Sequence, residues 1–75
     1  MHIMNIAFRV ARVSAKVTQE RLAKETGVTQ ADISRIEKSG WIPPVEIRQR
    51  LADALDTTSA HLFDVNDISE SHSHA

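Results

Sequence analysis

Between Thr18 and Lys38 the chain reads TQERLAKETGVTQADISRIEK, with one turn residue, Gly27, between two short apolar-periodic segments. This punctuation limits what can form there. Each segment is opened by a threonine, Thr18 or Thr29, whose hydroxyl oxygen can accept from the orphan N–H groups of a first helical turn. Arg21 stands three residues after Thr18, so the reciprocal acid of a capping box is absent. Gly27 suits a helix C-terminus that needs positive φ. Leu22 and Ala23 supply the apolar side of the first segment. Ile33 and Ile36 supply that of the second, predicted over about Gln30 to Lys38. The spacing of Leu22, Val28, Ile33 and Ile36 locks two short rods at a fixed angle. Ala23 is small where a bulkier side chain would push them apart.

The flanks carry the same period. Ile6, Val10, Val13 and Val17 recur at helical spacing with Phe8 offset, which predicts an amphipathic helix from Ile3 to about Ala15. Ser39-Gly40 ends the third helix. Pro43-Pro44 cannot lie inside a helix but can begin one. A fourth helix is expected from about Pro44 to Leu55, with Ile47, Leu51, Ala54 and Leu55 on one stripe. Thr58 can cap a last short helix holding Leu62 and Phe63. No strand-like alternation and no repeat is visible, so the fold class is all-α with five helices. From Asp64 onward the sequence is polar, acidic and without period. Residues 1–65 are therefore expected to form the domain and residues 66–75 a flexible acidic tail.

Seventy-five residues suffice for one domain with a modest core, which a dimer would help stabilise. The absence of cysteine excludes disulfides and Cys-ligated zinc. No apolar run approaches a membrane span, and Met1-His2-Ile3-Met4 lacks the pattern of a signal peptide, so a cytoplasmic protein is expected. His72-x-His74 has no fixed third ligand, and His2 and His61 are scattered, so no metal and no cofactor are expected. Ser34 has no nearby histidine, and Gly27 and Gly40 do not make a phosphate loop, so no catalytic residues are assigned and an enzyme is not expected. The net charge of −1 hides a split. Residues 1–50 hold all nine Lys and Arg against five acids, giving +4, whereas residues 51–75 hold five acids and no base, giving −5. Such a chain can present a basic face at near-neutral pI, although an ordinary solvated surface with an acidic tail fits the same numbers.

The central segment resembles the lambda-repressor-like (Cro, phage-repressor or XRE) helix-turn-helix family, whose pattern is roughly T-Q-x-x-L-A-x-x-x-G-V-[ST]-x-x-x-I-S-x-[IW]-E. Thr18, Gln19, Leu22, Ala23, Gly27, Val28, Thr29, Ile33, Ser34, Ile36 and Glu37 match it in register. Arg9 and Arg12 resemble a basic pair upstream, and Leu51 to Leu55 with Thr58 to Phe63 resemble its fourth and fifth helices, so the likeness runs from Ile6 to about Phe63. The resemblance implies a five-helix DNA-binding domain of a transcriptional regulator. Its partners would be an operator in double-stranded DNA and a second copy of the chain. It implies base contacts from Gln30, Ala31, Ser34 and Arg35, which face outward if Ile33 and Ile36 face the core. Gln can bond bidentately to adenine, and Arg to guanine. Phosphate contacts would come from Gln19, Thr29, Arg12 and Lys38, with Gln19 also able to buttress Gln30. The plain alternative is that these are solvated polar positions.

Four residues depart from the family's pattern. Asp32 puts an acid on the recognition helix, where it can accept from a cytosine, help cap the helix or pair with Arg35; the structural roles are favoured. Trp41 stands where a basic phosphate contact is common, and the Gly40-to-Pro43 spacing is one residue short. Arg48 replaces a usually apolar residue of the fourth helix, which would turn that face to water or a partner. Lys16 stands where a turn glycine is usual. Trp41, Ile42, Val45, Leu62 and Phe63 offer more apolar surface than a small core needs, which places a candidate dimer interface on the fourth and fifth helices and the Trp41 loop. A rival reading keeps the fold but makes it a protein-interaction module or antitoxin, gripping a toxin, or polymerase, through Trp41 or the tail. Residues 66–75 contain one aliphatic side chain, Ile68. Their deletion should leave the melting temperature and DNA binding nearly unchanged, and a large fall in melting temperature would show that they dock on the domain.

Overall fold

Side-chain caps begin four of the five helices. The computed structural model describes residues 4–65, and its order is α1 (Ile6–Ser14), α2 (Gln19–Thr26), α3 (Gln30–Ser39), α4 (Val45–Ala54) and α5 (Ser59–Phe63). Thr18 Oγ1 accepts from the Arg21 amide, Thr29 Oγ1 from the Asp32 amide and Thr58 Oγ1 from the His61 amide, each at 3.1 Å. Each threonine satisfies an N–H that helix geometry leaves without a partner. Proline, already at the required φ, begins α4: Pro44 is its N-cap at φ −57°. Gly27 at φ 78° and Gly40 at φ 73° close α2 and α3 in the left-handed region that a Cβ disfavours. The described residues are all helix, turn and loop, as the sequence predicts. The expected tail, residues 66–75, and the helix start at Ile3 fall outside the described residues.

The core is assembled from every helix. Phe8 of α1, Leu22 of α2, Ile33 and Ile36 of α3, Leu51, Ala52 and Leu55 at α4, and Leu62 and Phe63 of α5 are buried, with Val28 from the turn. The Phe8 and Phe63 rings meet at 5.8 Å between centroids, tilted by 45°. Helix α1 lies against α5 and α3, α2 against α3 and α4, and α4 against α5. The four residues expected to lock α2 to α3 are all in this core.

Several expectations are corrected. Helix α1 begins at Ile6, because Asn5 caps it: its side-chain oxygen accepts from the Phe8 amide at 2.9 Å. The rotation of α1 is also opposite to the predicted one. Ile6, Val10 and Val13 are more than half exposed, while Phe8, roughly 150° around the helix, is fully buried. A phenyl ring buries more apolar area than any one of those aliphatics. Asn5 adds tethers, donating from its backbone to the Glu37 carbonyl at 3.1 Å and from Nδ2 to the Leu62 carbonyl at 2.8 Å. On α4, Ala52 takes the buried place expected of Ala54, which is exposed. Leu62 and Phe63 complete the monomer's core and offer no surplus surface, leaving Ile42 and Val45 about half exposed and Trp41 partly covered. Arg48 is part-buried and turns back, Nη1 donating to the Pro43 carbonyl at 2.6 Å.

Lys16, between α1 and α2, sits at φ 60°. A side chain pays a steric penalty there that glycine escapes, partly offset by glycine's greater freedom in the unfolded chain. Lys16→Gly is expected to stabilise the domain by about 0.5–1 kcal/mol. Chemical denaturation checks this, and a loss of stability would show that the Lys16 side chain makes an interaction that outweighs its strain.

Candidate nucleic-acid interface

The geometry of α2 and α3 starts at the turn between them. Gly27 N donates to the Ala23 carbonyl at 2.9 Å. Thr26 Oγ1 donates to the Leu22 carbonyl at 2.8 Å and accepts from the Val28 amide at 3.2 Å. These bonds hold the chain reversal, and Val28 drops into the core beside Leu22. Helix α3 then leaves the turn with Thr29 as its cap.

Ile33 and Ile36, both fully buried, fix how α3 is rotated. The other side of the helix carries Gln30, Ala31, Arg35 and Lys38, all exposed, with Ser34 half-buried between them. Thr29 is exposed at the helix's entry, its oxygen already accepting the capping bond. Asp32 lies in the first turn, where a carboxylate meets the positive end of the helix dipole. It makes no pair with Arg35, whose guanidinium carbon lies 4.2 Å from the centroid of the Trp41 ring.

Behind this surface is a buried ionic knot. Glu37 is 5% exposed, and its carboxylate accepts from Arg12 Nε at 2.6 Å and Nη2 at 3.3 Å. Arg12 Nη1 donates onward to the Val17 carbonyl at 2.8 Å. Gln19 Nε2 donates to Glu37 Oε1 at 3.1 Å. No buried side-chain nitrogen or oxygen among the described residues is left without a partner. Arg12 donates three of its N–H groups inside the domain and its side chain is 13% exposed, so it serves as a strut between α1 and α3. Gln19 is also tied to Glu37, and the buttress to Gln30 does not form. Sequence reasoning matched Glu37 to the pattern but gave it no role. An Arg-Glu pair between otherwise apolar helices was the available signal. It also missed Asn5, although an Asn directly before an apolar-periodic run is an N-cap signal.

Among the described residues no three His, Cys, Asp or Glu side chains converge to hold a metal ion, and no helix is long and apolar enough to cross a membrane. The family model described as a helix-turn-helix domain matches residues 6–64. The chain belongs to the helix-turn-helix domain family. The match spans all five helices and agrees with the lambda-repressor-like resemblance of the sequence. Helix-turn-helix domains are, as a class, DNA-binding elements of regulators and typically non-enzymatic. No curated protein matches the chain.

In this helix-turn-helix domain the Glu37 knot joins α1, α2 and α3. Removing one partner leaves the other charge buried without compensation, whereas replacing both with apolar groups is often tolerated. Glu37→Ala is expected to cost about 3–5 kcal/mol, and Arg12→Met with Glu37→Leu to recover much of that. Urea denaturation of the wild type and both variants measures both effects. A cost below about 1 kcal/mol for Glu37→Ala would place the pair with weak surface bridges.

Proposed function

We propose that the protein is a sequence-specific transcriptional regulator, a repressor that occupies a pseudo-palindromic operator as a homodimer in the cytoplasm. The observation that carries this reading is the exposed side of α3. Gln30, Ala31 and Arg35 stand clear of the domain on a helix whose opposite side is locked into the core. A helix presented as a rigid rod can enter the major groove N-terminus first, and Gln30 and Ala31 lie at that end. Gln30 reads adenine, Arg35 reads guanine, Ser34 bonds either base, and Ala31 packs against a thymine methyl. Lys38, Thr29 and the second amide proton of Gln19 hold phosphates. Neither cofactor nor catalysis is part of this reading.

One recognition helix reaches too few bases for operator-level selectivity. Two copies about a two-fold axis place their helices in successive grooves, about 34–36 Å apart. Ile42 and Val45, about half exposed beside the loop that follows α3, support a self-contact on that side.

A protein-interaction module, such as an antitoxin, is the second reading, and one observation favours it. Ile6, Val10 and Val13 make an exposed aliphatic row on α1. Arg9 and Lys16 are exposed on the same stretch, and residues 4–17 contain no acid. The row's 4-3 spacing is that of a helix-helix seam, and its charge suits an amphipathic helix with acidic flanks.

Electrophoretic mobility shift with the protein's own upstream DNA tests the first reading. The slope of log K against log salt should be roughly −4 to −5, for about four to six phosphate contacts per dimer. Gln30→Ala and Arg35→Ala should each cost about 1–3 kcal/mol of specific binding, whereas Lys38→Ala should weaken all sequences about equally. A folded protein that binds no DNA at low salt would favour the second reading, and one monomer per minimal operator would exclude the dimer.

A further inference from the structure

We infer that Trp41 is a positioning residue: its indole holds the Arg35 guanidinium flat, with its N–H edge free to recognise a guanine. The inference rests on the DNA-binding reading and adds a specificity determinant to it. The chain has a single Trp. Its ring centroid lies 4.2 Å from the Arg35 guanidinium carbon, well within the range of about 6 Å over which a cation is attracted to an aromatic face.

The choice of partner matters because a guanidinium has two kinds of surface. Its five N–H groups lie in the plane and point outward, and its faces carry none. A carboxylate would take the edge and compete with a base. An indole takes a face and leaves the edge available for the O6 and N7 acceptors of guanine. The nearest acids on α3 do not interfere. Glu37 is engaged by Arg12 and Gln19, and Asp32 stays at the first turn.

The platform is itself held in place. Gly40, in the left-handed region, reverses the chain directly after α3 and brings residue 41 back towards it. Trp41 packs against the core cluster, and Pro43 beyond it is fully buried. One part of the indole is thereby fixed to the domain while the ring carries Arg35. A free surface arginine must give up many rotamers to make two parallel hydrogen bonds, and a stacked one has given up part of them before the DNA arrives. Trp41 stands where the resemblance puts a direct basic contact. Here the loop supplies a seat for the helix's own cation.

The test uses the full chain and an operator selected by the wild-type protein from a pool of random-sequence duplexes. The guanine whose replacement no longer matters in Arg35→Ala is the one Arg35 reads. Trp41→Leu should lower the preference for that guanine over other bases by about three- to five-fold, with Trp41→Phe keeping most of it. In the Arg35→Ala background Trp41→Leu should lower it no further, which a loss through general loosening of the fold would not reproduce. In free protein, Arg35→Ala should shift the emission of the lone Trp. Unchanged or raised guanine preference in Trp41→Leu overturns the inference. So does a uniform loss over all sequences, which would make Arg35 a phosphate clamp, or an equal loss with and without Arg35. If the wild type selects no sequence, the DNA reading fails and takes this inference with it. If selection succeeds and only the Trp41 arms fail, the DNA reading stands alone.

Discussion

The buried carboxylate of Glu37 is the interaction on which the arrangement of the first three helices depends. It projects from α3, accepts two bonds from Arg12 of α1 and one from Gln19 at the start of α2. Its own backbone carbonyl accepts from Asn5, just ahead of α1. Apolar contacts alone could hold these helices at several neighbouring angles, because hydrophobic attraction has no direction. Hydrogen bonds to one carboxylate do have direction. A charge at 5% exposure is tolerable only when its lone pairs are met, so small changes of helix angle that break this geometry are costly. The rigidity matters on the far side of α3, where Gln30, Ala31 and Arg35 project. Ile33 and Ile36 set the rotation of that helix, and Glu37 fixes it relative to its neighbours.

What the sequence disclosed was what is decided locally. The caps at Thr18, Thr29 and Thr58, the left-handed closure at Gly27 and the end of α3 at Gly40 each depend on a few consecutive residues, and all formed as expected. The outward side of α3 was legible for the same reason: two isoleucines three apart leave one consistent rotation. Helix α1 was not legible, because its two sides compete. Four regularly spaced aliphatics present the cleaner pattern, but Phe8 takes the core, and the Asn5 and Arg12 tethers agree with Phe8. Periodicity measures regularity, whereas burial follows area and partners. The strut made by Arg12 was not legible, because a basic residue near a DNA-binding motif suggests phosphate. Only the position of Glu37, twenty-five residues later in the chain, shows that its charge is answered within the domain. Whether Leu62 and Phe63 were core or surplus also depended on a long-range fact, the entry of Phe8 opposite Phe63.

The Arg12–Glu37 pair also bears on the charge that the protein presents to a polyanion. Residues 1–50 carry nine bases and five acids. Burying one of each leaves eight against four, so the excess at the surface is still +4. Two exposed i,i+4 ion pairs lie there, Arg21–Glu25 and Arg50–Glu46, in which both partners are at least 42% exposed. Such pairs contribute roughly 0.3–0.5 kcal/mol, too little to withhold an arginine from a phosphate that offers more. The internal knot therefore withdraws one arginine from the surface of residues 1–50 without reducing the excess of positive charge there. Arg35 and Lys38 are the exposed cations of α3, and neither has a carboxylate partner among the described residues: Arg35 rests on an indole and Lys38 is exposed on the next turn. A chain with a net charge of −1 can thus direct uncompensated positive charge at one helix, because its structural arginine is neutralised inside and half of its acids lie after residue 50.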